Sequence, residues 1–165
     1  MGVLFIERVE VGSDHIDALV RVMNPALART SAVSGLAERA LDLLPGLSRH
    51  SCENGTAHGI VAELADTETP HLLEHVVVEC MALAGSPRSL HAETVWDFAR
   101  DGRGVYHVRL AYDDDLVALA SLRGAAGIVD WLMGQATEPP DVDTIVESAR
   151  AARRVAAVSD ERPRR

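Results

Sequence analysis

Residues 69–85, Thr-Pro-His-Leu-Leu-Glu-His-Val-Val-Val-Glu-Cys-Met-Ala-Leu-Ala-Gly, decide how the rest of the sequence is read. Thr69 is placed to cap a helix, Pro70 fits the first helical position where its missing N–H costs nothing, and Gly85 is placed to end it. Between these ends Leu72, Leu73, Val76, Val77, Val78, Met81, Ala82 and Leu83 make the helix apolar almost all round, so it is expected to be central and buried. His71, Glu74, His75 and Glu79 are then polar groups in a low-dielectric place, and they require partners or a metal. The run His71-Leu-Leu-Glu74-His75 sets two imidazoles one turn apart on one face, with a carboxylate beside them. That is the inverted zinc-hydrolase pattern His-x-x-Glu-His, which points to Zn2+ and metal-assisted hydrolysis. The competing reading is a pair of core histidines bonded to carbonyls or carboxylates.

Working outward, residues 3–11 alternate apolar and polar and end at Gly12-Ser13, as a strand does. Ser13 or Asp14 is read as the cap of a helix over residues 15–23, interrupted by Pro25. A second helix is expected over residues 31–44, before Pro45-Gly46. The stretch to Asn54-Gly55 is read as a short strand closed by that turn, and a brief helix as following over 59–64. After Ser86-Pro87, residues 90–98 and 104–112 read as two strands of a hairpin. Asp113, Asp114 and Asp115 precede an apolar-periodic stretch, where acids favour a helix N-terminus over a divalent-ion site. A last helix is expected over 142–158. The fold class is therefore α+β: a small mixed or antiparallel sheet flanked by helices, with the motif helix buried at the centre.

Composition bounds the function. A chain of 165 residues, 47% hydrophobic and 25% charged, suits one globular domain, drawn here over residues 1–158 with 159–165 as a disordered tail. No apolar run approaches a membrane span and the N-terminus lacks the pattern of a signal peptide, so no membrane association and a cytoplasmic location are expected. The net charge of −9 argues against nucleic acid, since nothing would supply counterion release. Cys52 and Cys80 do not make a disulfide framework, and Cys80 on the motif helix reads as a small core residue.

From about residue 44 to 133 the chain resembles the N-terminal domain of cyanophycin synthetases, which polymerise aspartate and arginine into a branched storage peptide. The landmarks run in order: Leu44-Pro45-Gly46-Leu47, His50 and Cys52, Gly55 and Gly59, His71-x-x-Glu74-His75-x-x-x-Glu79, Leu83-Ala84-Gly85, Gly104-Val105-Tyr106, then Tyr112 to Asp115. The glycine- and arginine-rich stretch usual after Leu-Ala-Gly is replaced by Ser89-Leu90-His91-Ala92-Glu93-Thr94, so substrate contacts there are expected to differ. The ATP-grasp and Mur-ligase-like domains of the synthetases are not in these residues. The resemblance thus implies a freestanding version of the module, which in some members carries a metallopeptidase-like site.

On this basis the expected function is a zinc-dependent amide hydrolase of metallopeptidase type, acting on a peptide or cyanophycin-like polymer. The alternative is a non-catalytic module that binds the polymer or docks on a ligase, and a ligase or further copies of the chain are the expected protein partners. His71 and His75 are read as metal ligands and Glu74 as the general base. The resemblance makes Glu79 the third ligand, although it lies roughly 12 Å along the helix axis from His71. The fallback is that Glu79 orients an imidazole while Glu93 or His50 completes the set. His50 is otherwise assigned to substrate binding, as the landmark implies, and His58 also flanks the glycine-rich turn. His91 and His107 are given no role; Trp96, Trp131 and Tyr106 are read as core.

Overall fold

The computed structural model describes residues 2–52 and 59–160. Two strands, β1 (Leu4–Val11) and β2 (His15–Val22), open the chain. They form an antiparallel hairpin pairing Leu4 with Val22 and Val11 with Ile16. This corrects the helix expected over 15–23. Ile16, Ala18, Val20 and Val22 are buried at every second position, a strand period that the short segment also disguises as a helical one. Gly12 and the residues after it form the hairpin turn, closed by the Gly12 N–H on the His15 carbonyl at 2.8 Å, and do not cap a helix.

Helix α1 (Leu36–Leu43) is shorter than the helix expected over 31–44. Gly35, in the left-handed region at φ 71°, separates it from a 3-10 turn at Thr30–Ala32. A further 3-10 turn, Pro45–Arg49, occupies part of the segment read as a strand, while Asn54-Gly55 and His58 lie outside the described residues. Helix α2 (Gly59–Glu63) follows, then the motif helix α3 (Thr69–Leu83). Its N-cap is Glu68 rather than Thr69. Thr69 is fully buried and its hydroxyl donates instead to the Leu27 carbonyl at 2.6 Å, tying the helix start to a 3-10 turn at Pro25–Leu27.

Strands β3 (Ala92–Val95) and β4 (Val105–Ala111) are antiparallel and are joined through a short helix, α4 (Phe98–Asp101). Asp114 caps α5 (Asp115–Leu132) by accepting from the Val117 N–H at 3.1 Å, as the acidic run predicted. Helix α6 (Val142–Asp160) is the last element, and residues 161–165 lie outside the described residues. No described helix is long and apolar enough to cross a membrane.

The four strands make one antiparallel sheet in the order β1-β2-β4-β3, so the fold is α+β. Ile16, Ala18, Val20, Val108 and Leu110 cover one face and pack with Leu72, Leu73, Val76 and Val77 of α3 and with Ile128, Val129 and Leu132 of α5. Each fully buried aliphatic side chain contributes about 1.5–3 kcal/mol, and α3 has four such residues at zero exposure. They place the helix at the centre whatever its polar residues need. The other face of the sheet is polar: His107 bonds Asp17 and Asp101, and Arg109 bridges Asp17 and Glu93.

Because β2 lies between β1 and β4, both its edges are used in ladder hydrogen bonds. Ala18→Pro removes a ladder hydrogen bond from a central strand and is expected to destabilise the fold strongly, read as a collapse of the thermal unfolding transition. A melting temperature close to that of the unaltered protein would contradict the strand assignment.

Candidate metal centre

Helix geometry brings His71 and His75 to one side of a single turn, as their spacing requires. Their Nε2 atoms lie 3.1 Å apart. Cys52, just after the 3-10 turn that packs on α3, presents Sγ at 3.5 Å from the His71 Nε2. Ligand atoms of Cys52, His71 and His75 all fall within 4.8 Å of one another, and among the described residues this is the group with metal-binding geometry. Around a tetrahedral zinc, two imidazole nitrogens would stand about 3.3 Å apart and nitrogen and thiolate sulfur about 3.6 Å. Both separations are close to those found, so the donor set fits the ion. Cys52 is not among the ligands expected from the sequence, where it stands as a family landmark beside His50 and as one of two cysteines that make no disulfide framework.

Glu79 stands outside this group. Its carboxylate, 1% exposed as a side chain, accepts from Arg88 at 2.7 and 3.1 Å and meets the His50 Nε2 at 2.9 Å. Burial alone would raise its pKa, but the hydrogen bonds from His50 and Arg88 outweigh that and bring it down to about 2. The other nitrogen of His50, Nδ1, lies 3.2 Å from the His75 Nδ1. A line of contacts therefore runs Arg88, Glu79, His50, His75. Burial, with His71 and His50 nearby, pushes the His75 pKa down to about 3, so the ring is neutral at pH 7. If His50 donates to Glu79 from Nε2 and accepts at Nδ1, His75 donates from Nδ1 and its lone pair sits on Nε2, facing His71. His71 has Thr67 Oγ1 at 2.7 Å from its Nδ1. With Thr67 accepting, the His71 lone pair also turns inward, as a metal requires. With Thr67 donating, His71 instead donates to His75 and the cluster satisfies itself.

Glu74 lies on the same side of α3, 5% exposed. Its Oε2 accepts from the Thr94 hydroxyl of β3 at 2.6 Å, and its Oε1 is 4.0 Å from the His75 Nε2. Burial raises its pKa, against the opposing effects of Thr94 and His71. His50, Cys52, His71, Glu74 and His75 line a cavity of about 650 Å³ that also meets Glu93, Thr94 and Trp96. Glu93, the other candidate third ligand, is held at 3.1 Å by Arg109. Trp96, expected in the core, is 53% exposed and stacks on Phe98, because it lies just past the end of β3, an edge strand of the sheet. Tyr106 is buried as expected, and Trp131 packs partly buried against the core.

The profile of the cyanophycin synthase-like N-terminal domain matches residues 19–134. The chain belongs to that family. The match takes in α3, β3, β4 and every residue of the centre, while β1 and α6 lie outside it. No curated protein sequence matches the chain.

One landmark of the family resemblance has a packing cause. A Cβ on Gly46 would lie 1.8 Å from Oε1 and 2.5 Å from Cδ of Glu79, a side chain that Arg88 and His50 hold in place. Gly46→Ala is expected to lower stability by about 1–3 kcal/mol, or roughly 2–4 °C of melting temperature per kcal/mol. In a Glu79→Ala background the same change should cost far less. Equal cost in both backgrounds would show that Glu79 is not what excludes a side chain at Gly46.

Proposed function

We propose that this member of the family is a zinc-dependent amide hydrolase of metallopeptidase type, acting in the cytoplasm on a peptide rich in aspartate and arginine. The observation that carries this reading is the placement of Glu74 beside two imidazoles whose Nε2 atoms are 3.1 Å apart, at the wall of a cavity large enough for a substrate segment. His71, His75 and Cys52 would hold the ion, which when bound supplies Lewis acidity to polarise an amide carbonyl and acidify water. Glu74 accepts a proton from the attacking water and returns it to the departing amine nitrogen as the C–N bond breaks. Thr94 keeps the carboxylate aimed while it does so. Arg88, Glu79 and His50 fix the ring of His75, so that its orientation does not depend on the ion. The polymer is suggested by the family's name together with the mixed charge of the cavity, where Arg49 and Arg88 line the wall with Glu63, Glu68 and Glu93.

A second reading rests on one observation: with Thr67 donating, each of the three imidazoles has a protein partner at both nitrogens. The cluster would then be structural, and the cavity would hold a polymer, or dock a ligase or another copy of the chain, without cutting anything.

Glu74→Gln separates the two, since Gln can still accept from Thr94 but cannot take the proton. In zinc-loaded protein assayed on an aspartate backbone bearing arginine branches, this change is expected to reduce cleavage by about a hundred- to ten-thousandfold. Zinc content and melting temperature should be unchanged. Unaltered protein that retains the polymer but releases no fragments would establish the binding module instead.

A further inference from the structure

Strand β3 is an edge of the sheet, and its residues Ala92, Glu93 and Thr94 line the same cavity as Glu74. The register shows which of its backbone groups are spoken for. In the ladder Ala92 faces Leu110, Glu93 faces Arg109, Thr94 faces Val108 and Val95 faces His107. One position earlier, the Ala111 N–H donates to the His91 carbonyl at 2.9 Å, making His91 and Ala111 a hydrogen-bonded pair. Antiparallel pairs alternate, so Glu93 and Val95 turn their N–H and C=O groups toward β4, while Ala92 and Thr94 turn theirs away from it. Among the described residues no backbone group pairs with that outer rim.

We propose that the outer edge of β3 binds an extended peptide main chain as an added strand, through the N–H and C=O groups of Ala92 and Thr94. Main-chain hydrogen bonds supply the affinity in this mode, and side-chain pockets on alternate positions supply the selectivity. The Thr94 side chain points to the helical face of the sheet and reaches Glu74 at 2.6 Å. A strand laid beside Thr94 therefore runs past the carboxylate, with its amides presented in sequence. Beyond the end of β3 the exposed ring of Trp96, stacked on Phe98 at 6.0 Å between centroids, offers an apolar shelf for a substrate side chain. The inference rests on the hydrolase reading for its purpose and deepens it: the substrate is an extended chain, recognised by its backbone.

The test is binding of a fluorescein-labelled hexapeptide of alternating aspartate and arginine to Glu74→Gln protein, which cannot consume it. Binding is followed by fluorescence anisotropy, with and without zinc. N-methylation of each peptide amide in turn should weaken binding about tenfold at alternate positions and little at those between. Ala92→Pro removes an outward N–H without touching the ladder to β4, which an edge strand tolerates, and it should weaken binding about tenfold with an unchanged circular dichroism spectrum. If that variant does not fold, the methylation series on the unaltered strand decides alone. No binding, or losses without a period of two, or tight binding to folded Ala92→Pro protein, overturns the proposal. Failure of the hydrolase reading looks different, since periodic losses would persist in a protein that holds no zinc and cleaves nothing.

Discussion

The burial of α3 is the constraint on which the rest of the structure depends. A helix with Leu72, Leu73, Val76 and Val77 at zero exposure has to lie between the sheet and the other helices. It takes His75, Glu74 and Glu79 in with it. Desolvating those groups is costly unless each has a partner, and much of the surrounding architecture supplies one. The 3-10 turn at Pro45–Arg49 brings His50 to Glu79 and His75, the segment after α3 returns Arg88 to Glu79, and β3 delivers Thr94 to Glu74.

The same burial separates the two acids of the motif helix into different tasks. Glu79 is drowned in donors and held ionised down to about pH 2, which makes it an anchor for His50. Glu74 has a single hydroxyl donor and a pKa that burial raises, which leaves it able to exchange a proton. His75, kept neutral by its surroundings, offers a lone pair rather than a charge. Two imidazoles, a thiol and a buried carboxylate around one cavity are the parts that hydrolytic metal chemistry uses.

The outline of this arrangement was legible in the sequence, because helical spacing alone puts His71, Glu74 and His75 on one side and the apolar run alone buries them. A small sheet, left open between mixed and antiparallel, the acidic cap of α5 and a last helix starting at residue 142 followed from the same kind of pattern. The helix expected over residues 15–23 failed because Ile16, Leu19, Val20 and Met23 fit a helical period while Ile16, Ala18, Val20 and Val22 fit a strand period, and only pairing with β1 and β4 decides between them. Cys52 was legible only as a family landmark, since its approach to His71 is made by a turn between distant elements. Glu79 was assigned by its place in the motif, whereas its surroundings depend on Arg88, nine residues further on and past the end of the helix. Exposure of Trp96 depends likewise on strand order, which periodicity does not reveal.

X-ray absorption at the zinc edge of the zinc-loaded protein addresses the proposed centre most directly. The account predicts about one zinc per chain, with two nitrogen scatterers at about 2.0–2.1 Å and one sulfur at about 2.3 Å, the sulfur vanishing in Cys52→Ala. Failure to retain stoichiometric zinc, or a shell of nitrogen and oxygen without sulfur, would contradict it.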